Sequence, residues 1–152
     1  MEKLVKYCLD TNVVIEFLKN RNSPAAKLVL MLKDEVAITS ITLYELYYGL
    51  LRVGLTKEIQ DIDSLRRQIV VLPFDEDSAE KAARIDVGLH KIGQPVGLRD
   101  VFIASIALTH NLTIVTRNLQ DFQRIKGVEN GLKVATPDEI LENLQKKQRE
   151  SK

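Results

Sequence analysis

Short apolar runs alternate along the chain with longer stretches in which apolar residues return every three or four positions. Val5 to Leu9, Val36 to Ser40, Ile69 to Leu72 and Thr113 to Thr116 read as strands, and Leu132 to Ala135 reads as an edge strand. Between them the spacing predicts helices over Asn12 to Lys19, Pro24 to about Lys33, Thr42 to Val53, roughly Lys57 to Arg67, and Asp77 or Ser78 to Ile92. Further helices follow over Leu98 to Thr109 and, briefly, near Leu119 to Arg124.

Local punctuation supports these limits. Ser23-Pro24 offers a cap and a proline for the first helical turn, and Gly54 and Gly93 supply stops. Gly93-Gln94-Pro95-Val96-Gly97 reads as a loop, as does the stretch around Gly127 and Gly131. Thr136-Pro137-Asp138-Glu139 has the pattern of a capping box and opens the last helix. Strands alternating with helices predict an α/β fold: three layers, α/β/α, around a central parallel sheet of four or five strands.

Composition narrows the class. The chain of 152 residues suits one compact domain, assigned to 1–145, followed by a charged tail over 146–152 that is expected to fray. Hydrophobic residues make up 45% and charged residues 28%, and the net charge is only +1, so any basic surface is local. The single cysteine, Cys8, cannot form an internal disulfide and fits a reducing interior. Charges at Glu2, Lys3 and Lys6 interrupt any signal-peptide core, and no run reaches the ~18 apolar residues of a membrane span. These features predict a cytoplasmic protein that does not enter a membrane.

Four acidic residues share one kind of position. Asp10 follows the first strand, and Glu45 lies in the first turn of the helix after the second. Asp100 lies in the first turn of the helix after the glycine loop, and Asp121 comes shortly after the strand Thr113 to Thr116. In an open parallel sheet the strand-to-helix turns share one edge, where such folds bind ligands. The four carboxylates are therefore expected to gather there. Each also has a plain helix-start reading; Thr42-Leu43-Tyr44-Glu45 is itself a capping-box pattern.

Together they pose an electrostatic problem. Two carboxylates ~4 Å apart repel by about 4 kcal/mol at an effective dielectric near 20. Four in one cleft weigh heavily against a folding stability of ~5–15 kcal/mol. Protonation, separation or a bound cation must relieve them. An oxygen-only donor set favours Mg2+ or Mn2+ over Zn2+. The two histidines, His90 and His110, fall toward helix C-termini, at the opposite end of these elements.

The segments CLDTNVVIEFL, ITLYELYYGL, GLRDVFIASIA and VTRNLQDF, in this order and spacing, resemble the PIN domain, and especially the VapC-type toxins of type II toxin–antitoxin pairs. The resemblance runs from about Val5 to Thr136. It implies a Mg2+- or Mn2+-dependent endoribonuclease with Asp10, Glu45, Asp100 and Asp121 as metal-binding and catalytic residues. Asn12, Thr116 and Asn118 match the accompanying polar positions. It also implies an RNA substrate, a homodimer and a small cognate antitoxin laid across grooves near the site. The helix pair Pro24 to Lys33 and Thr42 to Val53 is a candidate for that surface.

Arg99 and Arg117 neighbour site residues and are candidate phosphate contacts, with Arg52 and Lys19 further out. Tyr44, Tyr47 and Tyr48 crowd one helix and read as core or subunit packing rather than base stacking. Two other readings compete. One is a housekeeping PIN-domain nuclease without an antitoxin; the other is an inactive PIN-like or receiver-like scaffold. An inactive scaffold should have lost an acid, and none is lost here.

Overall fold

The computed structural model of the protein describes residues 4–151. Its centre is a five-stranded sheet, every pairing parallel, in the order β3-β2-β1-β4-β5. The strands are β1 Tyr7–Leu9, β2 Val36–Thr39, β3 Val70–Leu72, β4 Thr113–Val115 and β5 Lys133–Ala135. The helices are α1 Thr11–Lys19, α2 Pro24–Met31, α3 Ser40–Arg52, α4 Ile59–Gln68, α5 Glu76–Lys91, α6 Leu98–Thr109, α7 Leu119–Val128 and α8 Pro137–Glu150. The expected α/β/α sandwich is therefore present, with β5 at an edge.

Successive residues of the central strands enter opposite cores, as the two-residue period of a strand requires. Leu9 and Val115 join the layer with Val13, Val14, Leu28, Leu46 and Ile140, which belongs to α1, α2, α3 and α8. Cys8 and Ile114 join the other, with Ile85, Leu89, Ile103, Phe122 and Ile125 of α5, α6 and α7. In register, Cys8 lies opposite Ala37 on one side and Ile114 on the other. Burial on both faces explains why β1, β2 and β4 read as apolar runs rather than alternating ones.

Strand order also locates the site. The chain steps from β1 to β2 to β3 in one direction, then returns to lay β4 on the other side of β1. The sheet therefore reverses direction between β1 and β4, and a crevice at that reversal is where open α/β sheets bind ligands. Asp10 directly follows β1 and Thr116 directly follows β4.

Several boundaries differ from the sequence expectation. β1 begins at Tyr7, although Lys6 still exchanges backbone bonds with Glu35 and Thr113. The cap of α3 is Thr39, whose hydroxyl accepts the Thr42 N–H at 3.1 Å, so Thr42 and Glu45 form no capping box. Asp75, rather than Asp77 or Ser78, caps α5 by accepting the Ser78 N–H. α7 runs through Gly127 to Val128 because Ile125 is drawn into the core and Val128 packs on Gly88 of α5. A Cβ added at Gly88 would meet the Val128 Cβ at 3.4 Å. α8 continues through 146–150, a stretch expected as tail.

The last helix starts as expected: the Thr136 hydroxyl accepts the Glu139 N–H, with Pro137 at the first helical position. α5 and α6 end in the same way. Gln94 N–H bonds Leu89 C=O around Gly93 (φ 69°), and Leu112 N–H bonds Ala107 C=O around Asn111 (φ 55°). Among the described residues, no helix is long and apolar enough to cross a membrane.

Candidate active site

Asp10 is placed by two elements at once. Its N–H continues the ladder to Val115 C=O at 2.9 Å, and its C=O accepts the first bonds of α1 from Val13 and Val14. The side chain is 4% exposed. Oδ1 accepts the Thr11 N–H at 2.8 Å, and Oδ2 accepts the hydroxyl of fully buried Thr116 at 2.8 Å. Burial raises its pKa and the Glu45 charge adds to this, while the bonds from Thr116 and Thr11 act the other way. Asp10 is thus both helix cap and site residue.

Glu45 reaches the same edge from α3. Its Oε1 accepts the Thr11 hydroxyl at 2.8 Å, and its Oε2 accepts Arg99 Nη1 at 3.0 Å. Thr11 also lies 3.0 Å from the Thr42 hydroxyl, so a buried threonine pair ties α1 to the start of α3. Nothing in the local sequence marks Thr11 for this role.

Asp100 and Asp121 meet through Asn118. The Asn118 Nδ2 group donates to Asp121 Oδ2 at 2.9 Å and to Asp100 Oδ2 at 3.3 Å. The Asn118 N–H is itself bonded to Thr116 Oγ1 at 2.9 Å. Burial, then the charge of Asp10, then the hydrogen bond and charge of Asp121 and the charge of Glu45 push Asp100 up to about 7. The charges of Asp10, Asp121 and Glu45 therefore all act on Asp100 at this edge.

The remaining candidates separate. Thr116 and Asn118 bond directly to site acids, whereas Asn12 is exposed in the first turn of α1. Arg99 stands beside the acids, held by Glu45. Arg117 turns to Glu16 and Asp138 instead. Arg52 lies over the Tyr48 ring at 6.0 Å, and Lys19 lines a groove next to Glu45. His90 bonds the Asp86 C=O in the last turns of α5, and His110 ends α6 beside Lys6 and Thr113 at the opposite edge of the sheet.

Among the described residues, no three Asp, Glu, His or Cys side chains are grouped so as to hold a metal ion between them. Instead Arg99 is bonded to Glu45, and Asn118 bridges Asp100 and Asp121. An open, all-oxygen arrangement fits Mg2+ or Mn2+, which retain waters and take only one or two carboxylates directly. It does not fit a closed structural zinc site. The crowding that holds Asp100 near 7 is the repulsion a divalent cation would relieve.

An apolar groove of about 390 Å3 adjoins Glu45, lined by Ile15 and Leu18 of α1, Leu46 and Leu50 of α3, and Ile62 of α4. It takes no lining residue from α2, which packs on α1 and α8. Of the helix pair suggested by the sequence, α3 lines this groove and α2 does not.

Comparison with known proteins agrees with this architecture. The profile of the PIN domain family matches residues 7–128. The tRNA(fMet)-specific endonuclease VapC of Shigella flexneri is 32% identical over 126 residues, covering 82% of this chain and 96% of its own. Ribonuclease VapC2 of Haemophilus influenzae is 30% identical over 123 residues, covering 80% and 93%. Among solved structures, DNA-bound VapBC from Salmonella typhimurium superposes with a TM-score of 0.80 at 30% identity, covering 88% of this chain and 99% of that one. VapBC-1 from nontypeable Haemophilus influenzae gives a TM-score of 0.75, also at 30% identity, covering 88% and 99%.

Proposed function

The chain belongs to the PIN domain family, and from that premise we propose that it is a metal-dependent endoribonuclease, the toxin of a VapBC-type toxin–antitoxin pair. The observation that carries this reading is Asp100, held near pH 7 by burial and by three other carboxylates at the sheet's reversal point. Such crowding is unfavourable to an idle fold and suited to holding a cation against a phosphodiester.

Asp10 and Asp100 would hold Mg2+ or Mn2+, with Glu45 and Asp121 supporting a second ion or the attacking water. A bound cation supplies Lewis-acid charge that brings the pKa of a coordinated water toward neutrality and shields the phosphoryl oxygens. The protein's own part is positional. Thr116 fixes the Asp10 carboxylate, and Asn118 spaces Asp100 from Asp121. Arg99, bonded to Glu45, would pass from it to a phosphate of the RNA.

The cognate antitoxin is assigned to the groove of α1, α3 and α4, whose apolar lining ends at Glu45 and so at the site. A homodimer belongs to the same proposal, and the exposed Tyr44–Tyr48 pair on α3, with ring centroids 5.8 Å apart, is apolar surface available to it. We place the pair in the cytoplasm, where its RNA substrate is found.

RNA cleavage tests the reading, comparing wild type, Asp10→Asn and wild type with EDTA in Mg2+ or Mn2+. We expect both the substitution and the chelator to abolish cleavage. Cleavage that survives both overturns the proposal. Growth arrest on expression, relieved by a co-expressed neighbouring small protein, distinguishes the toxin from a housekeeping nuclease.

A further inference from the structure

Arg117 sits between two residues that hold site acids, yet its own hydrogen bonds go to Glu16 and Asp138. On one side Thr116 donates to Asp10, and on the other Asn118 donates to Asp100 and Asp121. Arg117 instead forks onto Glu16 of α1, Nε to Oε1 at 3.1 Å and Nη2 to Oε2 at 3.2 Å, while Nη1 pairs with Asp138 of α8. Glu16 is fixed in turn, because its Oε2 also accepts the Ala25 N–H in the first turn of α2 at 3.0 Å.

We infer that Arg117 is a positioning residue: its clasp on Glu16 and Asp138 sets the separation between the Asp10 side and the Asp100–Asp121 side of the site. The inference rests on the proposed function for the role of those acids. Its geometry follows from the chain. Thr116, Arg117 and Asn118 are consecutive, so a turn free to shift would carry both sets of bonds with it. The bidentate fork restrains that turn in direction as well as distance. The clasp also links the site to α8, an element that contributes no acid to it.

The sign of the effect separates this role from two simpler ones. A bystander cation near the site repels a divalent ion, so removing it should tighten metal binding. A phosphate contact, lost, should weaken RNA binding and leave metal binding the same or tighter. A positioning residue, lost, should weaken metal binding, and outer partners of metal sites are typically worth about 10- to 100-fold in affinity.

The test uses full-length protein and Mn2+ itself, with free Mn2+ read by electron paramagnetic resonance and the Asn118 side-chain amide followed by NMR. We expect Arg117→Met to weaken Mn2+ binding about tenfold and to shift the Asn118 amide, with Arg117→Lys recovering part of both. Lys6→Met, which breaks the Lys6–Glu35 pair of 3.1 Å at the opposite edge, should change neither. Glu16→Gln, which keeps an acceptor for Ala25, serves if Arg117→Met does not fold and should act in the same direction. Unchanged or tighter Mn2+ binding in the folded variant overturns the inference. If the wild type binds no Mn2+, the proposed function fails; the clasp is then judged by the Asn118 amide, which must shift for the inference to stand.

Discussion

Thr116 donates its hydroxyl to Asp10 at 2.8 Å across 106 positions of sequence, joining the ends of two strands that lie side by side at the centre of the sheet. The same oxygen accepts the Asn118 N–H. Thr116→Val preserves shape but strips a donor from a buried carboxylate and an acceptor from a backbone amide. We expect a loss of about 1–3 kcal/mol by urea unfolding at pH 7, with Thr116→Ser recovering most of it. A change smaller than about 0.5 kcal/mol would show that the hydroxyl does not restrain Asp10.

Asp100 makes stability fall with rising pH. Its folded pKa of about 7 lies above the ordinary carboxylate value of 3.8, so the folded chain binds the extra proton between those limits. The contribution is full below about pH 4 and gone above about pH 7. Urea unfolding in EDTA should therefore show Asp100→Asn more stable than wild type at pH 8 by on the order of 1–2 kcal/mol, the full linkage being reduced by the group's partial exposure. The gap should close toward pH 5, and saturating Mg2+ should narrow it at pH 8. A gap that is constant with pH contradicts the assignment.

The caps of α3 and the site acid on it separate cleanly. Thr39→Ala removes the cap from the Thr42 N–H and should cost about 1 kcal/mol. Glu45→Gln leaves that cap intact and an acceptor for Thr11 in place, so its stability should stay within about 0.5 kcal/mol of wild type. Its RNA cleavage should nonetheless drop at least tenfold. Equal stability losses in the two variants would return Glu45 to a capping role.

Cys8 should be chemically silent in the native protein. It is fully buried, and burial followed by the charge of Asp10 pushes its thiol up to about 12. A thiol reagent at pH 8 should label it only as fast as the domain unfolds, so the rate should rise with urea along the unfolding curve. Stoichiometric labelling within minutes in buffer would place Cys8 outside the core.

How much was legible in the sequence depended on how local the cause was. The start of α8 is written in four adjacent residues, Thr136 to Glu139, and the structure follows it. Asp10, Glu45, Asp100 and Asp121 could be placed at one edge because a parallel sheet puts its strand-to-helix turns together. What stayed hidden was pairing over distance. Thr11 meets Glu45 from 34 positions away and Arg117 meets Glu16 from 101, so neither side chain carried a local mark of its partner. The α3 cap was misplaced because Thr39 and Thr42 are the same residue type, and the end of β2 decides between them.

The reversal of strand order between β1 and β4 has a consequence for how the protein is made. A ribosome that has released only β1, β2 and β3 has produced Asp10 and Glu45 but neither Asp100 nor Asp121. Thr116, which fixes Asp10, emerges later still, at the end of the strand that must dock beside β1. On the proposed site, cleaving competence is expected to arrive late in synthesis rather than to grow with chain length. A nascent chain truncated before β4 lacks Thr116, Asn118 and Asp121, so it is expected to cleave no RNA.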